Sequence, residues 1–353
     1  MTERPESFRR RATPQRPPGY HRLNGSSTYW SDPTGALVSD SSVLERLKAL
    51  AIPPAWTDVW AASDSHARVQ ATGIDSRGRT QYRYSAVALA EAAEDKFAHM
   101  LAFADALPQL RHQVVVDLQP ARAAVPANRV TAGVVRLLDR GLFRVGNERY
   151  TRDNHTHGLT TLSRQDVKVD GAKLTFDFIG KEHVHRHVEV TDRSAASLIT
   201  ELLHMPCGHD ELLFLATTAE SLHRVDSTVV NAYVHAHTAA PASAKIFRTW
   251  GATVVAACVA AGAEYQGATG RHNAATAPVI AAAHLLGNSP AVAQHSYVHP
   301  DAIRVGRAET VQSAVHRAAV KRNSNDVRNL FHDDDVQRAI LNDLHTAGRR
   351  NLS

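Results

Sequence analysis

From Ala86 onward, alanine, leucine and valine recur at the three- and four-residue spacing of a helix face, and this texture constrains the fold more than any other feature of the chain. Residues 86–107, 126–140, 194–203, 221–237, 245–261 and 275–286 all suit helices. One interruption breaks the pattern. Residues 159–162, 165–169, 174–178 and 183–190 read as strands, several alternating at period two, with Asp170-Gly171 and Gly180-Lys181 as the turn signals between them. Before Ala86 the pattern is mixed. Residues 42–50 suit a short helix with Val43, Leu44 and Leu47 on one face. Residues 52–56 are extended, because Pro54 restricts Pro53 and neither proline joins a helix interior. Residues 59–61, 67–73 and 81–84 then read as short strands separated by polar turns. The expected class is α+β: a small N-terminal antiparallel-sheet domain, and a larger, mostly α-helical domain containing a small antiparallel sheet. The change of texture falls between residues 86 and 110, and the division drawn from it is a tail at 1–19, a first domain at 20–95 and a second at 96–353. No internal repeat is present.

Composition narrows the classes. The chain has 353 residues, 43% hydrophobic and 21% charged, enough for two domains with buried cores and unlike disordered or fibrous sequences. Cys207 and Cys258 are too few for a disulfide framework or a four-thiolate metal site, which suits a reducing compartment and a cytoplasmic protein. The alanine-rich stretch at 252–263 is far short of the ~18 apolar residues of a membrane span, so no membrane partner is expected. The formal charge of +5 hints at a polyanionic partner without establishing one. Arg9, Arg10 and Arg11 form a run with no apolar segment after it, so it is not a secretory signal. It reads either as a disordered basic tail or as an arm laid along a phosphate backbone.

The chemistry-bearing residues are scattered. Tyr297 stands in Ser296-Tyr297-Val298-His299-Pro300, just after an apolar helix and the turn Gly287-Asn288-Ser289-Pro290. Arg248 interrupts an apolar helical stretch, Phe247-Arg248-Thr249-Trp250, where an unpaired cation is costly. Arg144 does the same in Leu142-Phe143-Arg144-Val145-Gly146, and Lys181 sits at a hairpin turn. Each alone is read most simply as a structural tyrosine, an ion pair or a solvated cation.

As an ordered set they say more. Gln81-Tyr82-Arg83-Tyr84, Arg144-Val145-Gly146, Gly158-Leu159-Thr160-Thr161-Leu162, Gly180-Lys181, Lys245-Ile246-Phe247-Arg248-Thr249-Trp250 and Ser296-Tyr297-Val298-His299-Pro300 occur in this order. In this the chain resembles the type IB DNA topoisomerases of the small poxvirus-like group in their bacterial form, over about residues 52–300. The resemblance implies that the second domain is catalytic, that double-stranded DNA is the partner, and that a monomer embraces it as a C-shaped clamp. It implies relaxation of positive and negative supercoils through a 3′-phosphotyrosyl intermediate, with no cofactor, ATP or metal, in the bacterial cytoplasm on the nucleoid.

The chemistry agrees with the assignment. A tyrosyl phosphodiester keeps the bond energy for resealing, two guanidiniums can bind nonbridging oxygens, and an ammonium among cations can give up a proton to a leaving oxygen. By resemblance Tyr297 is the nucleophile, Arg144 and Arg248 clamp the phosphate, and Lys181 is the general acid, with Arg144 assisting proton delivery. Asn288 is a departure, since many members have histidine nine residues before the tyrosine. An amide still donates a hydrogen bond but carries no charge. His295 and His299 are candidates to stand in for that histidine, or to shape the turn around Tyr297. By resemblance Gln81, Tyr82 and Tyr84 belong to a DNA-contacting surface, Lys245 approaches DNA one helical turn before Arg248, and Tyr150 is a weaker phosphate contact. Three alternatives stand beside this reading. His183, His185, His187 and Glu189 share a strand face, but the ~13 Å from His183 to His187 along a strand stops the row converging on one metal ion. A tyrosine recombinase commonly has histidine where this chain has Lys245. A DNA-binding protein without catalysis has no need for all five groups.

Overall fold

The computed structural model describes residues 16–23, 29–120, 125–147, 151, 155–206, 211–217, 221–238, 242–265 and 275–350. It divides into two compact units, Met1–Lys96 and Phe97–Ser353. The α+β expectation holds: an antiparallel sheet in the first unit, and a mainly helical second unit with small sheets set into it.

The first unit is a five-stranded antiparallel sheet of β1 (Gly19–Arg22), β2 (Trp30–Ser31), β3 (Thr57–Ala62), β4 (Val69–Ile74) and β5 (Thr80–Tyr84), in the order β2-β1-β3-β4-β5. Helix α1 (Ser41–Ala49) begins where Asp40 accepts from Ser42 N–H at 2.8 Å, and it turns Val43, Leu44 and Leu47 onto Trp30, Trp56, Val59 and Ala71. Residues 16–19 are not tail. Arg16 pairs with Asp58, Trp60 Nε1 donates to Pro17 O at 3.1 Å, and Gly19 opens β1. Residues 1–15, with the arginine run, lie outside the described residues. The Ile52–Trp56 segment is not fully extended either, since Trp56 N–H turns back to Pro53 O at 3.2 Å.

Helix α2 (Ala86–Asp117) runs ten residues past its expected end and through Pro108. Met100, Phe103, Leu107, Leu110 and Val114 continue one buried face across the proline. Then come α3 (Ala127–Gly141), the meander β6 (Val167–Asp170), β7 (Lys173–Ile179) and β8 (His185–Thr191), and α4 (Arg193–His204). The pair β9 (Leu215–Thr217) and β10 (Leu222–Arg224) precedes α5 (Ser227–Thr238). The core is completed by α6 (Lys245–Ala260), α7 (Ala277–Leu286), α8 (Pro290–Ser296), α9 (Ala302–Gly306), α10 (Glu309–Arg322), α11 (Val327–Leu330) and α12 (Asp334–Arg350). Strand β7 shows its alternation plainly, with Leu174, Phe176 and Phe178 buried and the residues between them exposed or half-buried.

Three expected elements differ. Residues 159–161 form a 3₁₀ turn, not a strand, because the Thr161 hydroxyl ties back to Gly158. Residues 164–166 are likewise a 3₁₀ turn, and β6 starts only at Val167. Residues 221–226 belong to no helix: Leu222–Arg224 pair with β9, and Asp226 then caps α5 through the N–H groups of Thr228 and Val229.

A charged knot joins α2, α3 and α12. Arg111 donates two 2.9 Å bonds to the buried Asp139 and one of 2.8 Å to Asp334. Burial alone raises the Asp139 carboxyl, but Arg111 outweighs it and holds the group at about 2. The pair therefore stabilises the fold above the ordinary carboxylate range and ceases to do so as pH falls toward 2. Arg111→Met orphans a buried carboxylate and is expected to cost about 3–5 kcal/mol at pH 7. Urea unfolding should show this loss shrinking as pH falls from above the ordinary carboxylate range, where the orphaned carboxyl, raised by burial, already protonates, toward 2, where the paired one does; a loss independent of pH would reject the pairing as its cause.

Candidate active site

Arg248 lies in α6, which is buried from Phe247 through Cys258. The residue is only 2% exposed, so the protein must satisfy its charge. Two helix ends do so. Arg248 donates to Leu142 O, at the close of α3, and at 3.0 Å to Leu286 O, at the close of α7. The chain leaves both helices through the left-handed region, Leu142 at φ 52° and Gly287 at φ 62°. Carbonyls at helix C-termini carry the negative end of the dipole and suit a cation. Burial and the Arg144 charge push Arg248 down to about 10, which leaves it cationic at neutral pH. Its Nε is buried and has no hydrogen-bond partner among the described residues.

Arg144 follows Leu142 by two residues and Asn288 follows Leu286 by two, and their side chains meet. Arg144 donates to Asn288 Oδ1. That bond sets the amide, whose Nδ2 is buried with no partner among the described residues. The Arg144 loop is braced by a second motif, with Leu159 N–H on Arg144 O at 2.8 Å and Thr160 N–H on Val145 O at 2.7 Å. The crossing needs glycine, because a Cβ on Gly158 would stand 2.5 Å from Gly146 Cα.

Tyr297 ends α8, which Ser289 caps by accepting from Val292 N–H. Arg248 and Lys245, one turn apart on α6, both face its ring, the guanidinium carbon 5.2 Å and the ammonium 5.9 Å from the centroid. Burial alone raises the phenol, but the charges of Arg248, Arg144 and Lys245 prevail and hold it below the ordinary tyrosine value. Thr253, on α6, fixes the backbone around it. The Thr253 hydroxyl lies 3.3 Å from Tyr297 O and accepts from His299 N–H at 3.1 Å. The His299 ring packs edge-on against Phe97 at 4.8 Å and accepts from Asp301 N–H, so this histidine shapes the local turn.

Four of the five residues expected at the centre thus stand together, with Lys245 beside them. Lys181 stands apart: its side chain is 60% exposed, its ammonium lies 3.8 Å from Glu182, and no contact among the described residues ties it to the other four. In the first unit Tyr82 and Tyr84 stack at 5.9 Å on β5 and are 47% and 48% exposed. Gln81 is on the opposite face of that strand and donates to Asp75 at 2.8 Å. Tyr150 lies outside the described residues.

The histidine row is tied up locally. His185 and His187 both face Asp177, Glu189 faces Lys173, and His183 sits in the turn. Among the described residues no three His, Cys, Asp or Glu side chains are grouped to hold a metal ion, and no helix is long and apolar enough to cross a membrane.

Sequence reasoning missed two contributors. Thr253 gave no signal beyond an apolar helix. Arg186 did give one, since it shares the inward face of β8 with Val188 and Val190, where a cation is out of place. Its guanidinium donates to Leu285 O at 2.8 Å and, at the limit of range, to His284 O at 3.5 Å.

Comparison with known proteins fits this arrangement. The profile of the family described as eukaryotic DNA topoisomerase I, catalytic core, matches residues 85–325, and that of the bacterial DNA topoisomerase IB N-terminal domain matches residues 28–75. The chain belongs to the type IB DNA topoisomerase family. It is 30% identical over 214 residues to DNA topoisomerase 1B of Acanthamoeba polyphaga mimivirus, covering 60% of this chain and 63% of the relative. It is 26% identical over 145 residues to DNA topoisomerase 1 of rabbit fibroma virus, covering 40% and 45%. The chain therefore spans less than two thirds of the length of either viral topoisomerase.

In a topoisomerase-family site the depressed phenol is the measurable signature. Subtracting the alkaline ultraviolet titration of Tyr297→Phe from that of the unchanged protein should leave one tyrosine ionising below the ordinary value of about 10. Lys245→Gln removes a facing cation and should move that ionisation up. A difference titration centred at or above 10 would show that the cations do not activate this phenol.

Proposed function

We propose that the chain is a type IB DNA topoisomerase that relaxes positive and negative supercoils by cutting and resealing one strand of duplex DNA, as a monomer in the bacterial cytoplasm. The observation that carries the reading is the juxtaposition of Tyr297 with Arg248, Arg144 and Asn288, two of whose buried donors have no partner among the described residues. An anionic phosphodiester supplies the acceptors that Arg248 Nε and Asn288 Nδ2 lack.

In this mechanism Tyr297 loses its proton to solvent and its oxygen attacks the scissile phosphorus. The P–O5′ bond breaks as the P–O bond to tyrosine forms, leaving a 3′-phosphotyrosine. Arg144, Arg248 and Asn288 hold the nonbridging oxygens as negative charge concentrates in the five-coordinate transition state. Lys181 gives its proton to the leaving 5′ oxygen, which requires the bound DNA to lie against the exposed Lys181 turn. The freed 5′ end swivels under torsion and then attacks the phosphotyrosine, returning proton and tyrosine. One phosphodiester is exchanged for another, so the cycle is driven by DNA torsion without ATP. The stacked Tyr82 and Tyr84, with Lys245, supply DNA contacts outside the reacting atoms, and salt-sensitive phosphate binding follows from the cations.

The test is relaxation of negatively and positively supercoiled plasmid in EDTA without ATP. Relaxation of both is expected, with Tyr297→Phe retaining DNA binding but losing activity; failure of the unchanged protein on both substrates would reject the function. Asn288→His is expected to keep transesterification, because position 288 needs a donor and not a charge. A severe loss would overturn the role given to that amide.

A further inference from the structure

Arg186 reaches two places that matter to the reaction. Its stem packs on Gly180, the residue before Lys181: a Cβ there would stand 3.0 Å from Arg186 Cγ. Its head packs on Gly287, the residue before Asn288, where a Cβ would stand 2.0 Å from Nη1. The same head holds the α7 terminus through Leu285 O at 2.8 Å. Between these ends the backbone pairs Phe178 with Arg186, and Gly180 N–H closes the turn on Val184 O at 2.8 Å. Glu182 and His183 both lie in the left-handed region, at φ 67° and φ 57°, and Lys181 is exposed.

The two ends differ in rigidity. Helix α7 lies against the buried α6, and its last carbonyl is pinned by Arg248, whereas the Lys181 turn projects from a hairpin. We propose that Arg186 is a positioning residue for strand cleavage, a strut that holds the Lys181 turn at a fixed place relative to the Asn288 corner, so that proton donor and phosphate clamp address one phosphodiester. The inference rests on Lys181 being the general acid. A plain helix-capping role does not account for the stem contact at Gly180. Nor does it account for a third arginine held so near Arg144 that burial and that charge push it down to about 10.

Leaving-group chemistry separates the possibilities. On a duplex carrying a mapped cleavage site, single-turnover formation of the covalent adduct is measured with an ordinary scissile phosphate and with a 5′-bridging phosphorothiolate, whose thiolate departs without a proton. Arg186→Gln should slow cleavage of the phosphodiester by about tenfold or more, equivalent to about 1.4 kcal/mol of barrier, and that of the phosphorothiolate by less than about threefold. Arg186→Lys, which keeps a donor and the charge, should recover part of the phosphodiester rate. Adding Arg186→Gln to Lys181→Ala should slow the reaction no further than Lys181→Ala alone. Equal losses on both substrates, no loss on either, or additive losses in the double variant would overturn the inference while adduct formation by the unchanged protein still supports the site. Absence of adduct from the unchanged protein would instead sink the reading of the site, and this inference with it.

Discussion

The site depends on how one buried guanidinium is satisfied. A cation in the middle of an apolar helix is destabilising unless the surrounding protein replaces its water. Among the described residues Arg248 is held by no carboxylate; the terminal carbonyls of α3 and α7 take its two Nη groups. Those carbonyls are where two helix dipoles converge, each favourable to a cation by roughly 0.3–2 kcal/mol. The solution has a geometric consequence. Two helices ending on the same guanidinium, each leaving through a left-handed residue, deliver the next residues to one place, and those residues include Arg144 and Asn288. The anchor of the buried charge is also the assembly jig of the site.

Arginines of the second unit are held in more than one way. Arg111 and Arg136 are matched to carboxylates, Asp139 with Asp334 and Asp192 respectively, and their charges are neutralised inside the fold. Arg144, Arg186 and Arg248 are held instead by an amide and backbone carbonyls. Burial and the Arg144 charge lower the proton affinity of Arg186 and Arg248, and Arg248 and Arg144 lower that of Tyr297. Mutual repulsion is unfavourable for the protein alone, and an anion held among these arginines would relieve it. Backbone-held arginines are not confined to this set, since Arg164 donates to Leu203 O and Met205 O; what sets Arg144 and Arg248 apart is that both act on Tyr297.

Much of the fold was legible because it rests on periodicity. The apolar run of α6 stands out with Arg248 as its exception, and β7 alternates as a half-buried strand must. What failed depended on local hydrogen bonds competing with pattern. Residues 159–162 carry strand-like composition, yet the Thr161 hydroxyl closes a turn that the pattern does not encode. Residues 221–226 look helical, yet they find a partner in β9. Residues of the candidate site stood out where their chemistry is conspicuous in sequence, as for Tyr297 and Arg248. Arg186 was hidden among neighbouring histidines on the same strand, although its parity places it inward. Gln81 adjoins Tyr82 in sequence but faces the other way, because adjacent strand residues point to opposite faces.

The amide at 288 shows why geometry, and not residue type alone, decides a role. Free asparagine presents either end to a ligand. Here Arg144 takes the oxygen, so only the nitrogen remains to face an incoming phosphate. The guanidinium thus acts twice, once through its own charge and once by fixing its neighbour's polarity. A neutral donor oriented in this way does not titrate, so in the proposed mechanism its contribution to the transition state stays constant across the pH range in which an imidazole would gain or lose a proton. On that proposal proton exchange is left to the groups assigned as nucleophile and general acid, Tyr297 and Lys181.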